Sequence, residues 1–406
     1  MPRNIHSALS AILLPAGLAL GQGALQGTLS QAAAKAGLNI GIATATRQLT
    51  GTYGETAKTH FNLLVCENDM KFQSTEPSRG RFSYTGGDGV YNWGKTNGLR
   101  LRGHTFVWHS QSGWASSLNG SREEMLSVIK THIDSVGGHF KGKVIEWDVL
   151  NEITNDGGSG GNNGLRASFW QKAIGNDFPD SAFAYARRAD PYARLYYNDY
   201  GGDGVNSKST TMHNLAKKWI ENKIPIDGIG LQCHLSSPVN KQSISDNIKR
   251  FGELGLRISL TEIDIKNGTT QDWTNLMSAC LENFNCTSFV TWGIYDGASW
   301  LGQGCNCLLF TESWQPKAAV QSLIDLMNNA NPDIVAKRKD FAKEPIIPTL
   351  VIPRKPLARA ARGGFVLSAA GVPLFTGGAG TVDALGRDRP VAPHSPWAAG
   401  LGINVR

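Results

Sequence analysis

The 406-residue chain is poor in charge and lacks several motifs that would announce a common function. Only 18% of its residues are Asp, Glu, Lys or Arg. It has no paired CxxC motifs, and its nine His do not fall at metal-ligand spacing, so no metal or other cofactor is expected. No Gly-x-Gly-x-x-Gly turn follows the first strand pattern, which argues against a doubly wound dinucleotide-binding sheet. The apolar run Ala8–Leu20 is shorter than the roughly 18 residues of a membrane span. A net charge of +7 invites a nucleic-acid reading, but residues 1–330 carry 29 basic and 28 acidic side chains, against 11 and 5 in residues 331–406. The body therefore holds no phosphate-tracking stripe, and neither a nucleic-acid nor a membrane partner is expected. What is abundant is hydrophobic residues at 41%, with 47 Gly and 11 Trp, a composition suited to a large core and to a loop-built site for flat, hydroxylated ligands.

Arg3, the apolar run and the small residues Ala19 and Gly21 before Gln22 read as a secretory signal over residues 1–21. A secreted, extracellular and monomeric protein is expected, and sequons at Asn119, Asn267 and Asn285 fit that compartment. Of six Cys, Cys280 and Cys286 are the favoured disulfide. Cys305 and Cys307 stand too close in sequence for an easy mutual bond, which offers Cys66 as a partner for one of them and leaves the other and Cys233 unassigned. Residues 331–406 hold nine of the 17 Pro and no Cys, and read as a disordered basic extension after a catalytic domain over residues 22–330.

Between residues 37 and 328, eight apolar strand patterns alternate with helical ones: 38–43, 61–66, 101–107, 144–150, 193–197, 228–233, 257–263 and 287–292. Continuous β-branched and aliphatic runs suit parallel strands covered on both faces, and eight βα repeats imply a closed (β/α)8 TIM barrel. Helices are expected over 121–136, 181–188, 207–222 and 243–254, each opening on a Ser as N-cap. Chemistry in such a barrel gathers at the C-terminal strand ends. Glu67, Asn68 and Lys71 follow the second strand, and His104, Trp108 and Gln111 end or follow the third. Asn151 and Glu152 close the fourth, Asn198 and Asp199 the fifth, and Gln232 and His234 the sixth. Glu262 and Asp264 end the seventh, and Trp292 and Trp300 follow the eighth.

Two carboxylates facing each other across such a mouth meet the needs of glycosidic bond cleavage, one protonating the leaving oxygen and the other meeting positive charge at the sugar carbon. Glu152 is the expected acid/base, with Asn151 beside it to hold a sugar hydroxyl. Glu262 is the expected nucleophile, oriented by His234, which Asp264 supports from the same strand face. Cellulase- or mannanase-type barrels use the same pair, and a non-catalytic binding barrel would lack one of the two.

The stretches Glu67–Phe72, Arg102–Gln111, Trp147–Glu152, Gly228–His234, Thr261–Ile265 and Thr291–Gly293 resemble, in order and spacing, the motifs of glycoside hydrolase family 10, retaining endo-1,4-β-xylanases, and resemble the secreted fungal type most. The resemblance covers roughly residues 30–328. It implies xylan as substrate, Glu152 as acid/base and Glu262 as nucleophile. It further implies that Glu67, Asn68, Lys71, His104, Trp108, Gln111, Asn151, Gln232, His234, Trp292 and Trp300 line the glycone-side subsites. Phe72 departs from the pattern, standing where the family usually has Trp, and so do the four Cys at 66, 233, 305 and 307.

Overall fold

A computed structural model describes residues 25–159 and 162–346, together with four short strands further along the chain. Its core is a parallel sheet of β1 (Asn39–Thr44), β2 (Leu63–Cys66), β3 (Arg100–Trp108), β4 (Glu146–Asn151), β5 (Arg194–Asp199), β6 (Gly228–Leu231), β7 (His234–Ser236), β8 (Arg257–Lys266) and β9 (Cys286–Thr291). The order β6-β5-β4-β3-β2-β1-β9-β8-β7, with β6 also paired to β8, closes the sheet on itself. β7 is a three-residue spur beyond β6, so the barrel is eight-stranded, as expected. Helices fill the connections.

The strand faces explain the sequence. Outward residues such as Phe106 and Trp147 stack on each other, with ring centroids 4.1 Å apart, beneath Phe140, which ends the helix Arg122–His139. The inward face is polar. Arg102 and His104 on β3, Glu146 and Asp148 on β4, Tyr196 and Asn198 on β5, and Ser259 and Thr261 on β8 are all buried. These lumen side chains fit because their neighbours on β6 are glycines. Gly228 pairs with Tyr196 and Gly230 with Asn198, and a Cβ at either would lie 2.4 Å from the tyrosine ring or 2.2 Å from the asparagine oxygen. Irregular register between His104 and Val107, between Asp148 and Leu150, and between Leu260 and Ile263 places bulges near the C-terminal ends, where they re-aim side chains into the mouth.

Several expectations need correction. Ser121 caps its helix as expected, but the helices Phe178–Ala189, Ser207–Glu221 and Lys241–Gly252 begin earlier, on Asp177, Asn206 and Asn240. Cys280 pairs with Cys286, yet Cys305 pairs with Cys307 rather than with Cys66. Asn306 between them adopts φ 45°, which turns the chain back and brings the two Cα atoms to 5.1 Å, an ordinary disulfide separation. Cys66 and Cys233 stay as buried thiols. Asp296 lies close to Cys305 and Cys307, but its carboxylate is committed to Lys317 at 2.7 Å and to the amides of Cys307 and Leu308. Asn285 is buried with its amide donating to the carbonyls of Ile248 and Leu256, so the folded chain offers no sequon there, whereas Asn119 and Asn267 are exposed.

The boundary at residue 330 also falls too early. Asn331 caps a helix, Pro332–Lys343, that packs across the N-terminal end of the barrel. From it Arg338, fully buried, donates to the carbonyls of Ala36, Cys280, Leu281, Asn283 and Cys286. Arg257, at the start of β8, donates to the Phe341 carbonyl and lies 4.1 Å over its ring, and Arg194, at the start of β5, donates to the Glu344 carbonyl. Of the remaining expected tail, only two antiparallel pairs are described, Gly364–Leu367 with Pro373–Thr376 and Thr381–Val382 with Asp388–Arg389. The rest of it, and the expected signal segment 1–21, lie outside the described residues.

Candidate active site

Strand ends deliver the expected residues to one mouth. Glu262, near the end of β8, is buried and its carboxylate is fully engaged: Oε1 accepts from Asn198 Nδ2 at 2.7 Å and Oε2 faces His234 Nε2 at 3.2 Å. The other ring nitrogen of His234 lies 2.9 Å from Asp264 Oδ2, which also accepts from Trp300 Nε1 at 2.7 Å. Burial alone would lower the imidazole's affinity for a proton, but the hydrogen bonds and charges of Asp264 and Glu262 outweigh it and push its pKa up to about 10. His234 is therefore a cation with both N–H groups donating to carboxylates. Burial likewise works against the Glu262 carboxylate, yet the His234 hydrogen bond and the neighbouring His104 and His234 rings hold its pKa below the ordinary value. An ionised carboxylate facing the mouth is what a nucleophile requires.

Glu152 closes β4 with φ 56°, a left-handed turn that swings its side chain into the mouth. Its Oε2 accepts from Trp108 Nε1 at 2.7 Å, and Oε1 accepts from Gln232 Nε2 at 3.2 Å and Asn151 Nδ2 at 3.4 Å. His109 Nδ1 stands 3.9 Å from Oε2. Burial and the nearby Arg166 guanidinium keep that imidazole's pKa low. Glu152 is thus surrounded by amide and indole donors rather than by a fixed cation of the kind that holds Glu262.

The floor beside them is built from Lys71, whose Nζ donates to Asn68 Oδ1 at 2.9 Å, and Asn68, whose amide donates to Glu67 Oε1 at 3.2 Å. Lys71 lies 5.0 Å from the Trp108 ring and 6.0 Å from Trp292. Burial lowers its pKa, and Glu262, Glu67 and Glu152 offset part of that. The Trp292 ring stands nearly perpendicular to those of His104 and His234, with centroids 5.5 and 6.3 Å apart. Below, His104 donates to Asp148 at 2.9 Å, and Arg102 binds Asp148 and Glu146 together, a buried ion-pair network that fixes the two strands under the site. Trp300, 59% exposed, stands at the rim with its ring centroid 5.1 Å from that of His234. Gln111 lies on the turn after β3, its carbonyl tied to the Gln73 amide. Among the described residues, its side chain takes no part in the bonds around the two glutamates.

Some groups in the site carry no role from sequence. Asn198 is one, a buried amide touching Glu262 and Asn151 at once. Arg166 is another; its Nε donates to the Glu152 carbonyl at 3.0 Å while Asp156 and Tyr200 hold its other end. Tyr197, whose side chain could have faced the cleft, is buried in the barrel wall, its hydroxyl bound to Asp199 and Thr154. Phe72 stacks on His132 at 3.8 Å, which shows what the smaller aromatic packs against.

Known proteins resemble the chain over most of the barrel. The chain is 38% identical over 263 residues to endo-1,4-beta-xylanase 3 of Hypocrea jecorina, spanning 64% of this chain and 74% of that protein. It is 35% identical over 301 residues to endo-1,4-beta-xylanase B of Neocallimastix patriciarum, spanning 72% of this chain and 35% of that much longer one. Among solved structures, xylanase 10B from Thermotoga petrophila in complex with xylobiose matches with a TM-score of 0.69 at 33% identity, over 73% of this chain and 97% of that one. Residues 28–326, which carry both glutamates and every group around them, match the model of glycosyl hydrolase family 10, and the chain belongs to that family.

Proposed function

We propose that the chain is an endo-1,4-β-xylanase that hydrolyses internal β-1,4 bonds of xylan with retention, Glu262 acting as nucleophile and Glu152 as acid/base. The observation that carries this reading is the contrast between the two carboxylates, one held ionised by a His234 cation and the other ringed by neutral donors. In the first step a Glu262 oxygen attacks the anomeric carbon as the bond to the leaving oxygen breaks, and Glu152 gives that oxygen its proton. In the second, Glu152 takes a proton from water, the water oxygen attacks the same carbon, and Glu262 is released. Both steps pass through a positively charged sugar, which two nearby carboxylates stabilise.

Glu67, Asn68, Lys71, His104, Gln111, Gln232, Trp108 and Trp292 would grip the glycone sugars, and Trp300 would stack over one from the rim. Residues 22–330 balance 28 basic against 28 acidic groups, which suits an uncharged or weakly acidic polysaccharide. The finer reading is a monomer secreted after removal of residues 1–21. Among the described residues no helix is long and apolar enough to cross a membrane. Reducing-sugar release from xylan, carboxymethylcellulose and mannan tests the assignment, with Glu262→Ala as control. Xylan is the expected substrate, and an untouched xylan or a fully active mutant would refute it.

A further inference from the structure

Asn198 sits at the centre of a chain of amides that joins the two glutamates. Its Nδ2 donates to Glu262 Oε1 at 2.7 Å and to Asn151 Oδ1 at 2.8 Å, while its Oδ1 accepts from Thr261 Oγ1 at 2.6 Å. Asn151 Oδ1 also accepts from Gln232 Nε2 at 3.2 Å, and that same nitrogen reaches Glu152 Oε1 at 3.2 Å. We infer that Asn198, locked by the Thr261 hydroxyl, is a positioning residue that holds Glu262 for attack and turns the Asn151 amide toward Glu152, so that one side chain sets both halves of the site. The inference rests on the assignment of Glu262 as nucleophile.

Hydrogen-bond logic fixes the orientation. An ionised carboxylate accepts only, so the atom Asn198 presents to Glu262 is its NH2. The amide oxygen then faces Thr261, whose hydroxyl must donate to it. The second N–H meets Asn151, which must answer with its oxygen, and this leaves the Asn151 NH2 on the Glu152 side. Without the Thr261 proton the Asn198 amide can turn over and set its oxygen against the carboxylate. Asn198 and Thr261 are both buried, and the missing Cβ at Gly230 makes the room the amide occupies. Water therefore does not stand in for the lost donor without rearrangement. The titratable groups facing Glu262 are His234 on β7, His104 on β3, Asp148 on β4, Lys71 after β2 and Glu152 across the mouth, with Asp264 and Glu67 beyond. None is altered in the test below.

The experiment is the pH profile of kcat/KM on a short xylo-oligosaccharide for Asn198→Ala, Thr261→Val and Thr261→Ser, with Glu262→Ala in parallel. Loss of one hydrogen bond to a charged group lowers kcat/KM by about tenfold to a hundredfold in Asn198→Ala, through kcat more than KM. The acid limb should move up by about one pH unit, because the ionised nucleophile loses a donor. Thr261→Val should shift the limb in the same direction by less, and Thr261→Ser should restore the wild-type profile. If the acid limbs of Asn198→Ala and Thr261→Val coincide with the wild type, or Thr261→Ser behaves as Thr261→Val does, the inference is wrong and the residues only pack. Should Asn198→Ala fail to fold, the Thr261 pair decides alone. A Glu262→Ala variant that stays active would overturn the nucleophile assignment itself, whereas an inactive one with unmoved limbs in the others would overturn only the role of Asn198.

Discussion

Replacing Arg338 by Met should cost the fold about 3 kcal/mol or more while leaving catalysis intact. Arg338 gives five backbone carbonyls a donor at 2.8–3.2 Å. Two of these, Cys280 and Asn283, also accept from the amides of Asn283 and Cys286, so the loss falls mainly on Ala36, Leu281 and Cys286. Each buried carbonyl left without a donor costs about 1–3 kcal/mol. Burial presses the guanidinium pKa down to about 10, so removal of the charge returns part of that cost, and Met keeps most of the side chain's volume. The three carbonyls belong to the C-terminal ends of the helices Leu29–Ala36 and Thr270–Leu281 and to the start of β9, the end of the barrel opposite the mouth. Thermal unfolding followed by circular dichroism should show a midpoint lower by about 6 °C or more, at roughly 2 °C per kcal/mol for a domain of this size. Values of kcat and KM at 25 °C should stay within twofold of wild type. A midpoint within about 1 °C of wild type would refute the reasoning, as would a chain ending at Asn331 that melts like the full one.

His234 makes stability depend on pH in a defined direction. Its pKa rises on folding, so its contribution is full below about 6.5 and fades as pH climbs through about 10. The difference in unfolding free energy between wild type and His234→Asn should approach about 3–5 kcal/mol near pH 6 and shrink toward pH 10, and a difference flat across that range would contradict the ion-pair account. Cys305 and Cys307 bind their turn to β8 through Cys307 O to the Ile265 amide and Cys305 O to the Asn267 amide, just beyond Asp264 and next to the loop that carries Trp300. Replacing both by Ser should lower stability by about 1–2 kcal/mol, the entropy of so short a closed loop, and raise KM for xylo-oligosaccharides a few-fold. An unchanged KM would separate that turn from substrate binding.

The barrel and the meeting of the two glutamates at its mouth were legible because their determinants are local. A buried parallel strand shows as an unbroken apolar run, and the polar residue that ends it is the one delivered to the mouth, so Glu152, His234 and Glu262 could be placed from strand ends alone. Backbone conformation is different. Nothing in Cys-Asn-Cys reveals that Asn306 takes a positive φ, and without that turn the two cysteines are wrongly sent to other partners. Two of the misplaced helix starts have the same origin, since Asn206 and Asn240 cap as well as Ser and only the geometry chooses among them, whereas the third begins at Asp177 without a side-chain cap and with Pro179 in its first turn.

Groups whose effect is spread over distant segments left the least trace. Asn198 reads as one more strand-end polar residue, and its bond to Glu262 joins positions 64 apart that meet only when the barrel closes. Arg338 reads as one more cation in a basic tail, yet it reaches carbonyls 52 to 302 residues away in sequence. Its charge is used against backbone dipoles, and with it Lys337, Lys339 and Lys343 of the same helix leave the tail's basic excess and join the domain. A charge count divided by composition assigns those residues to a tail. Division by hydrogen bonds carries the domain to Glu344, where Arg194 takes the last carbonyl from the chain passing beneath the barrel.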